Sequence, residues 1–186
     1  MSQLGRKLEE GILLLKIRHG DQEAFTVIYE RYVDALFRYV SFRVRNQEIA
    51  QDISSELFLR VWQYLTDGER QRVDNLRAFL YQVARNLIAD HYRAAQETLP
   101  LDEALNIDAE AGKSISSIEQ RLSLREVEEG LTSLRPESQE IIILAYVEGL
   151  SSREIASIIG KTTSATRVML HRALQELKKV LNKGNP

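Results

Sequence analysis

Residues 134–181 contain the most restrictive pattern in the sequence, three helical segments separated by two glycines. Pro136 fits the first turn of a helix, and an apolar run, 141–147, follows it. Gly149 and Gly160 can each adopt the left-handed conformation that ends a helix. Because these stops interrupt the apolar periodicity, the segment predicts three separate helices rather than one long helix.

The second and third of these helices have the spacing of a helix-turn-helix. Ser151 and Glu154 form an S-x-x-E capping box that opens a short helix, and Thr162 or Thr163 can cap a longer one. A short helix, a turn containing glycine and a longer helix are typical of this motif, whose second helix enters the DNA major groove. The alternative is a small helical bundle with no role in DNA binding.

The periodicity of the third helix separates an inward face from an outward face. The predicted inward residues are Thr166, Leu170, Ala173, Leu177 and Leu181. The predicted DNA-facing residues are Arg153, Thr163, Ser164, Arg167, Val168, His171 and Arg172.

The run EGLSSREIASIIG at 148–160 resembles region 4 of bacterial sigma factors, in which EGLS-x-x-EIA-x-x-(L/I)G precedes the recognition helix. The recognition helix departs from the family pattern S-x-G-T-V-(K/R)-S-R-L, because this chain has TTSATRVML. Arg167 keeps a basic group, while Val168 and Met169 replace Ser and Arg. The resemblance therefore implies either an unusual promoter preference or weaker binding to the minus-thirty-five element.

Two strings in the first half resemble sigma region 2. GDQEAFTVIYERY at 20–32 is similar to the family's G-D-x-x-A-F-x-x-(L/I)-Y-x-x-Y, and AQDISSELFLRVW at 50–62 is similar to region 2.2, which docks on the clamp helices of RNA polymerase. Ser55 stands where the family usually has Gln. The resemblance implies that the polymerase-binding residues are Asp52, Glu56, Phe58, Leu59 and Trp62.

A third string, LRAFLYQVARNLIADHYR at 76–93, resembles regions 2.3 and 2.4, which bind the minus-ten element. Arginines bind phosphates, and an aromatic ring stacks on an exposed base with about 1–3 kcal/mol per base. An ordinary solvated helix face is the alternative. The predicted minus-ten residues are Arg77, Tyr81, Arg85, Asn86 and Arg93. In the family, the preceding loop, 66–75 here, holds a flipped base.

Composition agrees with an all-α protein, since the chain has only three prolines and nine glycines. The absence of cysteine excludes a disulfide framework and fits a reducing cytoplasm. The first residues contain an apolar run of only 12–15, so neither a signal peptide nor a membrane span is expected. The net charge of −2 is unlike that of a protein that binds DNA by charge alone. DNA binding would therefore need a narrow basic face or a partner.

Together, these features predict two small helical domains, a region 2 bundle at 1–95 and a region 4 helix-turn-helix at 121–186, joined by an acidic linker at 96–120. This order is the pattern of the extracytoplasmic-function, or group IV, sigma factors. The resemblance implies a transcription initiation factor whose partners are core RNA polymerase, promoter DNA and an anti-sigma factor. It also implies a cytoplasmic location without membrane insertion.

An enzymatic function is not expected. The three histidines have no His or Cys partner at metal-ligand spacing, and the sequence contains no phosphate-binding glycine loop and no nucleophile elbow. We expect no cofactor and no metal. Two other functions stay open at this point: a helix-turn-helix regulator that binds duplex DNA without polymerase, and a degenerate sigma factor that only sequesters a partner.

Overall fold

The computed structural model describes residues 3–44, 46–67, 73–98, 127 and 129–183. In these ranges every regular element is helical, which confirms the all-α prediction. The chain divides into two compact units, residues 1–108 and 109–186. The predicted linker lies outside the described residues from residue 99 onwards, so the predicted domain boundaries stay predictions.

The described part of the first unit has four helices: α1 (Gln3–Arg18), α2 (Gln22–Val44), α3 (Gln47–Thr66) and α4 (Leu76–Thr98). α2 packs against α1, α3 and α4, and α3 also packs against α1 and α4. Side chains cap three of the four helices. Asp21, Asn46 and Asn75 each accept a hydrogen bond from the backbone N–H three residues later, at 3.0–3.1 Å, as N-cap residues do.

Two helices extend beyond the sequence features that indicate them. α1 begins at Gln3, before the apolar run at 12–15, and α4 ends at Thr98, after the string at 76–93. The residues after Arg93, AAQET, include good helix formers and no Gly or Pro. The α4 helix therefore continues into what the sequence suggested was linker.

Polar contacts fix α1 on α2. Arg31 forms an ion pair with Glu9 at 2.9 Å, and the Tyr32 hydroxyl donates a hydrogen bond to Glu10 at 2.8 Å. Burial, together with the hydrogen bond to Glu10, raises the pKa of Tyr32. Tyr32 therefore stays protonated and remains a donor to Glu10 throughout the physiological pH range.

An aromatic pair lies at the centre of the first unit. Tyr39 of α2 and Tyr81 of α4 have no exposed surface, and their rings meet edge to face with centroids 5.3 Å apart. Leu57 and Val61 of α3 are equally buried. Edge-to-face contacts of buried rings stabilise a core beyond the area they bury.

The second unit contains the predicted succession of helices. From residue 136 onwards its described elements are α5 (Pro136–Ile142), a π-helical turn (Ile143–Val147), α6 (Ser152–Ile159) and α7 (Thr163–Lys183). Pro136 lies in the first turn of α5. Gly149 and Gly160 have φ of +62° and +66°. Both predicted glycine stops are therefore left-handed, a conformation that costs other residues about 1–2 kcal/mol.

Side-chain caps lie at the N-termini of both helices of the helix-turn-helix. The Ser151 side chain and the Glu154 side chain each satisfy a backbone N–H of the other residue, which completes the predicted capping box. Thr162, one of the two predicted candidates, caps α7 by accepting from the N–H of Ala165 at 3.1 Å. α5 and α6 both pack on α7, and Thr166 and Ala173 of α7 are buried.

A polar network ties the start of α5 to α7. Arg135 and Ser138 donate hydrogen bonds to the two carboxylate oxygens of Glu176, at 2.5 and 2.7 Å. The hydrogen bond from Ser138, followed by the one from Arg135, lowers the pKa of Glu176 below its usual value. A lowered pKa means that the ionised carboxylate is the form that stabilises the fold.

We expect Glu176→Gln to lower the melting temperature of the second unit near neutral pH. The loss should shrink as the pH falls from the ordinary carboxyl pKa towards the lowered pKa of Glu176, because protonation of Glu176 then removes the network from the wild type as well. Thermal unfolding followed by circular dichroism across this pH range measures the difference. Glu137→Gln, a change at an exposed position of α5, is the control, and an equal effect of both changes would contradict the assignment.

Candidate nucleic-acid interface

One surface of α3 combines carboxylates with an exposed apolar side chain, and we call it the α3 face (Asp52, Glu56 and Leu59). Asp52 and Glu56 are exposed, and Leu59 has 55% of its surface exposed. The three side chains lie at i, i+4 and i+7, on one side of the helix. An exposed leucine flanked by carboxylates is suited to a partner that offers both an apolar contact and positive charge.

Phe58 does not belong to this surface. It retains only 6% exposure, and its ring meets Tyr29 edge to face with centroids 4.7 Å apart. Phe58 follows Ser54 and precedes Val61 and Leu65 on the buried stripe of α3, so the helical period directs it into the core. The prediction that Phe58 is available to polymerase is therefore wrong. Trp62 is half-buried, packed at 5.1 Å against Phe25.

Tyr81 is also misplaced by the sequence prediction. The residue was expected on the outer face of α4 as a stacking platform, but the structure buries it completely against Tyr39. It shares the inward stripe with Ala84 and Ile88. Of the other predicted minus-ten residues, Asn86 and Arg93 are exposed and Arg77 and Arg85 are half-buried.

A cleft with two aromatic side chains in its wall lies between α3 and α4. We call it the α3–α4 cleft; its volume is about 430 Å³. Its walls include Tyr64 and Phe79, whose ring centroids lie 4.7 Å apart. The lining residues are Arg60, Gln63, Tyr64, Phe79, Val83 and Asn86.

Only Asn86 of these six residues was among the predicted site residues. The six lining residues occupy helical spacing on two elements: 60, 63 and 64 on α3, and 79, 83 and 86 on α4. The signal was present in each helix, but only the packing of α3 on α4 brings the two sets together. An open cleft with aromatic walls and polar groups at its rim can hold a flat heteroaromatic ring.

Four charged side chains join α3 to α4 beside this cleft. Arg60 forms an ion pair with Glu56 at 2.6 Å, and its other terminal nitrogen lies 3.7 Å from Asp90. Asp90 in turn pairs with Arg93. The guanidinium of Arg60, which lies at the edge of the cleft, is therefore already close to two carboxylates.

The second unit presents a separate polar surface on the helix-turn-helix. We call it the α7 face: Ser164, Arg167, Val168, His171 and Arg172, all exposed. Arg153 of α6 is exposed as well, whereas Thr163 is half-buried at the start of α7. Of the five predicted inward residues of α7, Thr166 and Ala173 are buried and the three leucines at 170, 177 and 181 are half-buried.

The exposed side chains of the α7 face have the types that contact duplex DNA. Arg167 and Arg172 can bind phosphates or guanine edges, and Val168 can touch a thymine methyl group. The His171 ring lies 2.9 Å from the side-chain nitrogen of Gln175. The half-buried Met169 lies beside the face.

Comparison with known proteins agrees with both units. Residues 28–98 match the family model of sigma-70 region 2, and residues 124–177 match that of sigma-70 region 4. The chain is 36% identical over 170 residues to the sigma factor SigD of Mycobacterium tuberculosis, covering 86% of this chain and 77% of SigD. It is 32% identical to BldN of Streptomyces coelicolor, covering 91% of this chain and 64% of BldN.

Solved structures share the fold. The chain superposes on CnrH, determined in complex with the cytosolic domain of CnrY, with a TM-score of 0.69 at 24% identity, covering 94% of this chain and 98% of that one. For RpoE of Bartonella quintana, determined with the anti-sigma factor NepR, the TM-score is 0.63 at 20% identity, covering 85% and 96%.

A region 2 helical bundle followed by a region 4 helix-turn-helix defines a sigma-70 type transcription initiation factor. More particularly, the chain belongs to the ECF RNA polymerase sigma factors, which confirms the resemblance seen in the sequence. No helix in the described residues is long and apolar enough to cross a membrane. The same residues contain no cluster of three metal-ligating side chains.

The burial of Tyr81 and Phe58 leads to a prediction about stability. Tyr81→Ala and Phe58→Ala should each destabilise the first unit by about 3–5 kcal/mol, the usual cost of deleting a buried aromatic side chain. Asn86→Ala, at an exposed position, should stay within about 0.5 kcal/mol. Urea unfolding monitored by circular dichroism measures all three. A near-neutral Tyr81→Ala would show that the ring is on the surface.

Proposed function

We propose that the α3 face binds core RNA polymerase, that the α3–α4 cleft and the outer face of α4 bind the minus-ten element, and that the α7 face binds the minus-thirty-five element. The observation that supports this proposal is that one chain matches sigma-70 region 2 and sigma-70 region 4, in that order. The protein would thus direct polymerase to promoters that contain both elements.

Core binding is supported by the composition of the α3 face. Leu59 offers apolar area that a partner can bury, at up to about 1.5–3 kcal/mol for complete burial. Asp52 and Glu56 would set the orientation and the association rate on a basic partner surface, because exposed interfacial charges act mainly in this way. Phe58 is next to Leu59 in the sequence, and its packing against Tyr29 in the core holds this part of α3 in position.

Binding of an unpaired base is supported by the α3–α4 cleft. The Tyr64 and Phe79 rings offer apolar surface for a base, and Gln63 and Asn86 offer amide groups for its edge. Arg77, Arg85 and Arg93 lie along the same helix and can follow the phosphates of the strand. We therefore propose that a base of the minus-ten element binds in this cleft, instead of stacking on Tyr81.

Each DNA surface is small, and the chain carries a net charge of −2, so neither surface should bind tightly by itself. Attachment of both units to one polymerase raises the effective concentration of the second DNA site once the first is bound. We therefore propose that the protein contributes no catalytic group and that polymerase performs the chemistry, in the cytoplasm. An anti-sigma factor is a further proposed partner, since CnrH and RpoE resemble this chain and RpoE was solved with one.

Polymerase binding can be tested with two changes on the α3 face. Asp52→Lys should abolish capture of purified core polymerase, and Leu59→Ala should weaken capture by about tenfold through lost apolar burial. Both should reduce run-off transcription from a cognate promoter in proportion. These changes are preferable to Phe58→Ala, which would disrupt the core.

The control for this experiment is Asp34→Lys, an equal charge reversal at an exposed position of α2, which should leave capture unchanged. If the free protein binds intact duplex DNA tightly and does not bind polymerase, the chain acts as a conventional helix-turn-helix regulator and the proposal is wrong. If it binds polymerase but supports no transcription, it acts only by sequestration.

The recognition helix generates a prediction about promoter preference. We expect selection from a promoter library by the reconstituted holoenzyme to give a minus-thirty-five element that differs from the usual family element, because Val168 and Met169 replace a hydrogen-bonding Ser and an Arg. Val168→Ser should change the preferred base at one position, whereas Arg167→Ala should weaken binding by about 1–3 kcal/mol. Selection of the usual family element by the wild-type protein would contradict this prediction.

A further inference from the structure

Glu56 links two surfaces. It is part of the α3 face, and its Oε1 atom accepts two hydrogen bonds from Arg60, from Nε at 2.9 Å and from a terminal nitrogen at 2.6 Å. Arg60 in turn lines the α3–α4 cleft. The surface proposed for polymerase and the cleft proposed for DNA are therefore joined through one side-chain pair, a single helical turn apart.

The charges around Arg60 work against binding of a phosphate in the free protein. Its guanidinium is hydrogen-bonded to Glu56 and lies 3.7 Å from Asp90, and Arg93 is paired with Asp90 as well. These four side chains sum to no net charge. A phosphate that approaches Arg60 would also be repelled by two carboxylates, which lie 2.6 and 3.7 Å from the guanidinium.

We propose that Glu56 is a positioning residue that keeps Arg60 away from DNA until polymerase binds. A basic polymerase surface that pairs with Glu56 competes with Arg60 for the same carboxylate oxygen, and the released guanidinium then binds a phosphate of the strand at the cleft. This inference rests on the proposed function of the α3 face and of the cleft, and it adds a coupling between them. Such a coupling is reciprocal, so DNA at the cleft must strengthen polymerase binding by the same factor.

The magnitude of the effect follows from exposure. The side chains of Arg60, Glu56 and Asp90 are each 44–49% exposed, and ion pairs of this kind are screened by solvent. Removal of the Glu56 charge should therefore strengthen single-strand binding by about two- to fivefold, the range for an exposed pair. The effect should weaken as salt increases.

The test measures binding of a fluorescently labelled single-stranded DNA of about 12 nucleotides to the full chain by anisotropy at low salt. Glu56→Gln should bind about two- to fivefold more tightly than the wild type. Asp52→Asn is the matched control, since it removes the same charge from the same helix without touching Arg60, and its effect should be clearly smaller. In the Arg60→Gln background, Glu56→Gln should have no more effect than Asp52→Asn.

The second arm repeats the measurement with saturating core polymerase, where the advantage of Glu56→Gln over the wild type should disappear. Equal effects of Glu56→Gln and Asp52→Asn in the free protein would overturn the proposed role of Glu56, as would an advantage that persists on polymerase. If no variant binds the oligonucleotide either alone or on polymerase, the proposed DNA-binding role of the cleft is wrong, and the proposed coupling is wrong as well. Normal run-off transcription by the wild type alongside equal variant effects would leave the proposed function intact and overturn only the coupling.

Discussion

The packing of α2 against α4 through Tyr39 and Tyr81 is the contact on which the rest of the first unit depends. Both rings are fully buried, and their edge-to-face geometry allows little rotation of either helix without loss of that contact. The orientation of α4 decides which of its residues meet α3 at the cleft. The contact between Tyr39 and Tyr81 thus determines which residues of α4 line the cleft. When α4 turns Tyr81 inward, Phe79, Val83 and Asn86 lie on an adjacent side of the helix.

The second unit depends more on local structure. Gly149 and Gly160 end their helices with positive φ, and the Ser151–Glu154 box and Thr162 begin the next ones. These are short-range constraints, satisfied by backbone and side chains only a few residues apart. They set the length of α6 and the turn before α7, so that the outward face of the recognition helix follows from the sequence with little help from tertiary contacts.

The two units accordingly differ in how well their sites could be predicted. On α7, burial alternates as the periodicity indicates: Thr166 and Ala173 lie inside and Arg167 and Val168 outside. On α3 and α4, the sequence predicts Phe58 and Tyr81 as binding residues, but both side chains are buried. Both helices have apolar or aromatic residues around much of their circumference, so periodicity alone does not say which aromatic faces the core. The choice is made by the neighbours, Tyr29 for Phe58 and Tyr39 for Tyr81.

The sequence by itself determined the helical class, the caps and stops of the helix-turn-helix and the family, since each of these rests on the types and spacing of residues close together in the chain. The tertiary structure alone decided that α3 and α4 form a cleft, that Tyr64 meets Phe79 there, and that Glu56 shares Arg60 with Asp90. These contacts join helices through residues as many as 30 positions apart, such as Arg60 and Asp90. The helical period fixes the direction in which a side chain points around the helix axis, but only packing decides which residues of other helices it contacts.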